Sequence, residues 1–83
     1  MRTLNWRKYI VIDPDVLGGA PIIKGTRVPV QIVIGSLAGG MSVAEVCEQY
    51  RLTPEHVQAA LAYAAEVLAE EKIYALARGR RTA

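Results

Sequence analysis

The chain has 83 residues, a formal net charge of +2, 52% hydrophobic residues and a single cysteine. That length allows one domain, and so small a domain buries only about 60 to 65% of its unfolded surface, which leaves little room for a deep catalytic cleft. The apolar share is high for a lone small domain, so we expect a partner surface and a homodimer. No apolar run approaches the ~20 residues of a membrane helix.

Cysteine content and the start of the chain bear on its location. Cys47 cannot form an internal disulfide, and no signal-peptide pattern opens the sequence. We therefore expect a cytoplasmic protein. The basic residues concentrate near the ends, with Arg2, Arg7 and Lys8 at one end and three arginines among the last six residues at the other.

Two short extended segments are predicted before the helices. Residues 9 to 12 (YIVI) are β-branched and aromatic, and they end at the turn signal Asp13-Pro14-Asp15. Residues 21 to 24 form the second segment, because Pro21 fixes its own φ and biases the preceding residue away from helix. The two segments are expected to pair, either as a hairpin or across a dimer.

The run PIIKGTRVPV, residues 21 to 30, resembles a phosphate-binding loop only superficially. A P-loop places lysine after its second glycine, whereas Lys24 precedes Gly25, and the two prolines remove backbone N–H donors. We expect a structural role instead. Gly25 would adopt a conformation closed to side chains, Thr26 would bond to nearby backbone, and Arg27 would pair with an aspartate of the preceding turn.

Three helices are predicted in the remainder of the chain. Helix 1 runs from Pro29 to Ala38 and is apolar nearly all round, which predicts burial, with a Gly-Gly stop behind it. Helix 2 runs from Val43 to Tyr50, with a capping box formed by Ser42 and Glu45 at its start.

Helix 3 begins at Pro54, where Thr53 can act as the cap. We expect its apolar stripe to face the core and to change phase after Leu68, where the helix would kink or change partners. The stripe comprises Val57, Ala60, Leu61, Ala64 and Leu68. The resulting single domain has a β-containing segment (1–28), a helical unit (29–77) and a basic flexible tail (78–83).

Helix 2, the turn at residues 51 to 53 and helix 3 match the helix-turn-helix template, and helix 1 completes a three-helix unit. The predicted fold is therefore mainly α, with a short N-terminal β element; an ordinary helical bundle is the alternative. Helix 3 offers few base-reading side chains and no early arginine or lysine, so phosphate contacts would come from arginines elsewhere. The candidate DNA-binding residues are Arg27, Arg51, Gln58, Tyr63, Arg78, Arg80 and Arg81.

Catalytic interpretations lack the necessary groups. Cys47 lies on the apolar stripe of helix 2 and is expected in the core, and His56, the single histidine, is expected at the surface. One histidine and one buried cysteine do not make a zinc site. The glutamates lie on solvated helix faces without a cleft around them. We predict no catalytic residue, no metal site and no cofactor.

The sequence resembles the small prokaryotic family known as domain of unknown function 433, over roughly residues 9 to 68. The resemblance rests on three ordered runs: Gly19-x-Pro21-x-Ile23-x-Gly25-Thr26-Arg27-x-Pro29-Val30, then Leu37-x-x-Gly40-x-Ser42-x-x-Glu45, then Tyr50-x-Leu52-Thr53-x-Glu55-x-Val57-x-Ala59-Ala60-Leu61-x-Tyr63-Ala64. It implies a dimeric, homeodomain-like antitoxin of a type II toxin-antitoxin pair. Such an antitoxin would block a PIN-like ribonuclease and bind operator DNA to repress its own operon.

The toxin-binding surface is predicted at the end of helix 3. The apolar stripe changes phase there and charge is segregated over residues 70 to 81. The candidate partner-binding residues are Glu70, Ile73, Tyr74 and Leu76. Two alternatives remain open: a free-standing helix-turn-helix regulator, and a protein-binding adaptor without DNA activity.

Overall fold

The computed structural model describes residues 4–79, with side chains described up to residue 70. Two short antiparallel strands precede three helices, and one turn of 3₁₀ helix lies before each strand. The strands are β1 (Ile10–Ile12) and β2 (Pro21–Ile23); the helices are α1 (Val30–Ala38), α2 (Val43–Tyr50) and α3 (Pro54–Gly79); and the 3₁₀ turns are Trp6–Lys8 and Leu17–Gly19. Among the described residues, no helix combines the length and apolar character that crossing a membrane requires.

The two predicted extended segments are confirmed, and they pair within the chain as a hairpin. Ile10 lies opposite Ile23, and Ile12 lies opposite Pro21. The pairing continues one step further, because the Lys24 amide donates to the Tyr9 carbonyl at 2.8 Å. Of the two pairings considered, the hairpin is the one present.

The loop after β2 is held by its own backbone, as predicted. Gly25 has a φ of +82°, which side chains rarely tolerate. The Thr26 hydroxyl donates to the Ile23 carbonyl at 2.7 Å and accepts from the Val28 amide at 3.0 Å. These bonds turn the chain from β2 into α1.

The predicted ion pair of Arg27 is wrong. Arg27 is exposed and has no salt bridge to Asp13 or Asp15. The Asp13 carboxylate instead accepts a hydrogen bond from the Asp15 amide at 2.9 Å, so it stabilises its own turn. Because the loop is already fixed by Thr26, no long-range pair is needed to hold it.

The first helix is less buried than its composition predicted. Pro29 is its N-cap, and only Val30 and Val33 are buried. Ile32 is 44% exposed. The prediction of burial on all sides is wrong because β2, α2 and α3 pack on part of its circumference and leave another part uncovered.

A small core joins the hairpin to the three helices. Ile23, Val33, Val46 and Val57 are its largest fully buried side chains. Leu52, in the turn between α2 and α3, is 7% exposed and packs into the same cluster. The core therefore lies where the hairpin, α1, α2 and the start of α3 meet.

The third helix faces the core with a different side from the one predicted. Val57 and Ala60 are buried as expected, but Leu61 is 45% exposed and Leu68 is 61% exposed. Ala59 and Ala62 are buried in their place. The cause is packing against three elements: α1, α2 and the Trp6–Lys8 turn all contact the helix, and small alanines allow them to approach closely.

Beyond this region the helix continues without interruption. It runs as one element through Leu68, where a kink or change of partner was expected, and ends at Gly79. Its 26 residues correspond to a length of about 39 Å. The last buried residue up to residue 70 is Ala62.

Candidate functional site

The helix-turn-helix turn is built by three consecutive residues between α2 and α3. Arg51 has a φ of +58° and ends α2 in the left-handed conformation. This conformation lets the Leu52 amide donate to the Cys47 carbonyl at 2.9 Å and directs the Leu52 side chain into the core. The packing of Leu52 in the core thus fixes the turn, while the Arg51 side chain is exposed.

The start of α3 is capped by a reciprocal pair of hydrogen bonds. The Thr53 hydroxyl accepts from the His56 amide at 3.3 Å, and Nδ1 of His56 accepts from the Thr53 amide at 3.1 Å. This arrangement follows the logic of a capping box, with an imidazole in place of a carboxylate. His56 also packs edge-on against Tyr9, with ring centroids 5.9 Å apart. It is half-buried at the surface, where its ring is held by Thr53 and Tyr9.

Helix α2 begins with an ordinary capping box, formed by a serine and a glutamate. The Ser42 side chain accepts from the Glu45 amide at 3.1 Å, and the Glu45 carboxylate accepts from the Ser42 amide at 2.8 Å. Both bonds of the predicted capping box are confirmed. The two helices of the helix-turn-helix therefore each start from a locally determined cap.

The candidate DNA-binding residues do not form a single surface on α3. Gln58 is exposed, whereas Tyr63 is half-buried and packs edge-on against Trp6 at a centroid distance of 4.8 Å. Their separation of five residues places them about 140° apart around the helix. Gln58 therefore faces solvent while Tyr63 faces the N-terminal turn.

The arginines of the predicted set have different positions. Arg27 and Arg51 are both exposed, on the loop before α1 and in the turn before α3. Arg78 lies in the part of α3 whose side chains are outside the described residues, and so do Ile73, Tyr74 and Leu76 of the predicted partner-binding set. Arg80 and Arg81 lie beyond the described chain. Glu70, the remaining partner-binding candidate, is exposed on α3.

Acidic side chains surround the helix-turn-helix turn. A shallow polar groove of about 510 Å³ runs along α2 and is lined by Met41, Glu45, Glu48, Gln49 and Arg51. Glu55, in the first turn of α3, is exposed as well. A nucleic-acid phosphate approaching Arg51 would therefore meet several carboxylates, which oppose its binding.

A cluster of four side chains joins the N-terminal turn to the middle of α3. The indole Nε1–H of Trp6 donates to Glu66 at 2.9 Å, and the Arg7 guanidinium lies 3.4 Å from the other oxygen of the same carboxylate. The guanidinium carbon of Arg7 also lies 4.4 Å from the Trp6 ring centroid, and Tyr63 meets the ring edge-on. We call this cluster the tryptophan clamp. Sequence reasoning missed it, although Trp6 is the only tryptophan in the chain.

An apolar groove of about 420 Å³ separates α1 from the middle of α3. Its apolar walls comprise Pro21, Val30, Ile34, Ala64, Val67 and Leu68, and Gln31 and Tyr63 also line it. Ile12 pairs with Pro21 in the hairpin and therefore points to the same side of the sheet; it is 52% exposed. Sequence reasoning missed this groove because it assigned Leu61 and Leu68 to the core.

The described residues contain no group of three or more His, Cys, Asp or Glu side chains that could hold a metal ion. Cys47 is half-buried and packs against the core cluster, which is its predicted position. The surface features of the described residues are the exposed helix-turn-helix face, the tryptophan clamp and the apolar groove.

These features define a small three-helix protein with a helix-turn-helix and an N-terminal hairpin. Residues 10–64 match the model of a family described as protein of unknown function (DUF433). The chain belongs to this family. Trp6, Arg7 and Glu66 of the tryptophan clamp all lie outside the matched residues.

The chain is also similar to a protein of Sinorhizobium fredii named uncharacterized protein y4eO. The two are 42% identical over 59 residues, which is 70% of this chain and 27% of the relative. The chain thus spans only about a quarter of the length of that relative. No solved structure matches the chain.

Proposed function

We propose that the protein is the antitoxin of a type II toxin-antitoxin pair, which binds and inhibits a PIN-like ribonuclease and, as a homodimer, binds operator DNA. The observation that carries the proposal is the length of α3. This helix continues about 25 Å beyond Ala62, the last buried residue of its described side chains. A helix that leaves its own domain presents a face that another protein can cover.

The last part of α3 is assigned to the nuclease. Its predicted contacts are Glu70, Ile73, Tyr74 and Leu76, which lie at spacings of three, one and two residues along one element. The tryptophan clamp supports this role because it holds the middle of α3 at Glu66, just before the projection begins. Anchoring one end of an arm reduces the conformational entropy that binding must remove.

The DNA contacts are assigned to the helix-turn-helix. Gln58 is the exposed polar side chain of α3 that can read an adenine, and Arg51 and Arg27 are exposed for phosphates. Tyr63 is left out of the proposed interface because its ring packs against Trp6. Two copies of this face would be needed, since one copy offers few positive charges.

Nuclease inhibition tests the antitoxin role. The full chain should abolish the RNA cleavage of a co-encoded PIN-like nuclease at equal stoichiometry. A chain lacking residues 70–83 should keep the helical signal of residues 4–69 and lose inhibition. Val43→Glu, a change at an exposed apolar position on α2, is the matched control and should inhibit fully. Full inhibition by the shortened chain would show that residues 70–83 are not needed to bind the nuclease.

Salt dependence tests the DNA role. Binding to operator DNA should weaken steeply with salt, and Arg51→Ala should lower the slope of log K against log salt by about 1. Gln58→Ala should instead reduce the preference for the operator over unrelated duplex. A binding constant that is unchanged by Arg51→Ala and insensitive to salt would contradict this assignment.

The acidic surroundings of Arg51 favour a second candidate, an adaptor that binds protein and not DNA. Glu45 and Glu48 line the same groove as Arg51, and Glu55 is exposed on the next helix. Under this alternative, nuclease inhibition persists while affinity for DNA at physiological salt stays in the non-specific range, with a Kd above about 1 μM. The two assays above separate the candidates.

A further inference from the structure

A stripe of apolar side chains on α3 is exposed beside the apolar groove. It consists of Leu61, Ala65 and Leu68, which we call the leucine stripe, and all three residues are exposed. We propose that the leucine stripe and the apolar groove together bind a second copy of this chain, with the two α3 helices antiparallel across a two-fold axis near Ala65. The inference deepens the proposed function, since it locates the dimer that operator binding would use.

The spacing of the leucine stripe favours a helix as its occupant. Its members are separated by four and then three residues, which is the spacing of a coiled-coil seam. In a core-facing helix this pattern is covered by the rest of the domain. Here Leu68 is 61% exposed and Leu61 is 45% exposed, so the seam has no partner among the described residues.

The same patch contains an exposed leucine and a depression. Leu68 lines the groove and is 61% exposed, while Ile34, Ala64 and Val67 of the same groove are half-buried. A two-fold interface places one patch against an identical one, so it requires a surface that is complementary to itself. The Leu68 side chain of each copy can enter the groove of the other, which would bury both leucines with one symmetry operation.

The charge of the patch also favours a second copy. None of the residues that line the groove is charged. The nearest acidic residue on the helix, Glu66, is engaged by Trp6 and Arg7 on a neighbouring face. Two identical charged patches would repel each other, whereas two uncharged apolar patches do not. A phosphate backbone, in contrast, finds no cation here.

The small residue in the middle of the stripe sets the position of the axis. Ala65 lies between the two leucines, and a small side chain at the crossing point lets two helix backbones approach to the ~8 Å of close packing. An antiparallel pair centred there brings residue 61 of one copy opposite residue 69 of the other. The partner of Leu61 is then Ala69, which is exposed.

Sedimentation equilibrium of the purified full chain tests the proposal. The chain should associate to a dimer in a concentration-dependent manner. Leu68→Glu should weaken the association by about 100-fold or more, because both copies would lose a buried leucine and gain a facing charge. Val43→Glu adds the same charge at a similarly exposed apolar position on α2 and should leave the association unchanged.

A cysteine at the axis provides an independent readout. In a Cys47→Ser background, Ala65→Cys should form an intermolecular disulfide under mild oxidation, because the axis brings the two copies of this position together. Gln49→Cys, exposed on α2 and away from the patch, should not. The expected result is a crosslinked dimer for the first variant alone.

Three outcomes would overturn the inference. They are a monomeric chain at about 100 μM, a dimer that Leu68→Glu leaves intact, and a monomer that loses nuclease binding on Leu68→Glu, which would assign the groove to the nuclease. The first two outcomes are measured on the chain alone, and the third requires that the unsubstituted chain binds the nuclease. Failure of the dimer surface is therefore distinguishable from failure of the proposed function.

Discussion

The part of α3 whose side chains are described, residues 54–70, divides into two halves with similar compositions and opposite surroundings. In the first half, residues 54–62, four side chains are buried: Val57, Ala59, Ala60 and Ala62. The second half, residues 63–70, includes no fully buried side chain, and Leu68 is the most exposed large apolar residue among those whose side chains are described. One uninterrupted helix thus changes from a core element to a surface element within two turns.

This contrast shows what an apolar stripe does and does not indicate. A stripe predicts that a helix has an apolar side, but the neighbouring elements decide whether that side is covered. In the first half even the alanines Ala59, Ala60 and Ala62 are buried. In the second half Tyr63 and Glu66 contact the N-terminal turn, and Ala64 and Val67 line the groove beside α1, but Leu68 stays exposed and is available to another molecule.

The largest difference in the free energy of unfolding is expected when the same charged residue is placed in each half. Val57→Glu buries an unpaired carboxylate in a fully packed site and should cost about 4 kcal/mol or more, enough to unfold a domain of this size. Leu68→Glu should change the free energy of unfolding by less than about 0.5 kcal/mol in the monomer. Urea titration followed by circular dichroism measures both.

Protein concentration sharpens this test. At concentrations where the chain dimerises, Leu68→Glu should lower the melting temperature because it removes the stabilisation that association provides. The unsubstituted chain should show a melting temperature that rises with concentration. A large destabilisation by Leu68→Glu in dilute samples would mean that the second half of α3 is part of the core after all.

An intermediate loss of stability is expected from substitutions in the tryptophan clamp, which lies at the boundary between the halves. Trp6→Ala removes the edge-on contact with Tyr63, the hydrogen bond to Glu66 and the contact with Arg7, so it should cost about 2 kcal/mol. Trp6→Phe keeps a ring and should cost about half as much. Chemical denaturation measures both changes.

The exposed ion pair of the clamp should contribute less than the ring. Arg7 and Glu66 have side chains that are 65% and 46% exposed, so Arg7→Ala should cost less than about 1 kcal/mol. Trp6 is the only tryptophan, and its fluorescence therefore reports the clamp directly. Equal losses from Arg7→Ala and Trp6→Ala would show that charge, and not packing, holds the N-terminal turn to α3.

A small gain in stability, in contrast to the losses above, is expected from a substitution at Arg51, just before the first half of α3. Arg51 adopts a φ of +58°, which costs an L-residue energy that glycine does not lose. Arg51→Gly should therefore stabilise the fold by about 0.5 to 1 kcal/mol after the greater chain entropy of glycine is subtracted. Thermal unfolding measures the gain.

The same substitution separates stability from DNA binding. Arg51→Gly removes a proposed phosphate contact, so DNA affinity should fall while the melting temperature rises. Arg51→Lys keeps the charge and is the matched control, which should retain affinity. A parallel loss of stability and affinity would indicate that Arg51 acts through the fold.

Local features of this fold were predictable from short sequence patterns. The capping box of Ser42 and Glu45, the bounds of α2, the positive φ of Gly25 and the local bonds of Thr26 all depend on residues close in sequence. The hydrogen bonds and backbone conformations that stabilise these features involve residues only a few positions apart, so they can be predicted without knowing the distant contacts. The helix-turn-helix arrangement followed from the same signals.

Long-range features were predicted poorly. The tryptophan clamp joins residues 60 positions apart, and no local pattern links Trp6 to Glu66. The exposure of Leu61 and Leu68 was missed for a related reason, because it depends on which sides of α3 are covered by elements that are distant in sequence. The proposed ion pair of Arg27 failed because the Asp13 carboxylate had a nearer partner in the Asp15 amide.

By itself, the sequence determined the family, the succession of two strands and three helices, and the caps and turns that separate them. The tertiary structure alone decided which face of α3 is buried, what Trp6 contacts and where the apolar groove opens. The physical reason is the range of the interactions. Caps and turns are settled by hydrogen bonds between neighbouring residues, whereas burial depends on which distant elements pack together and where each of them ends.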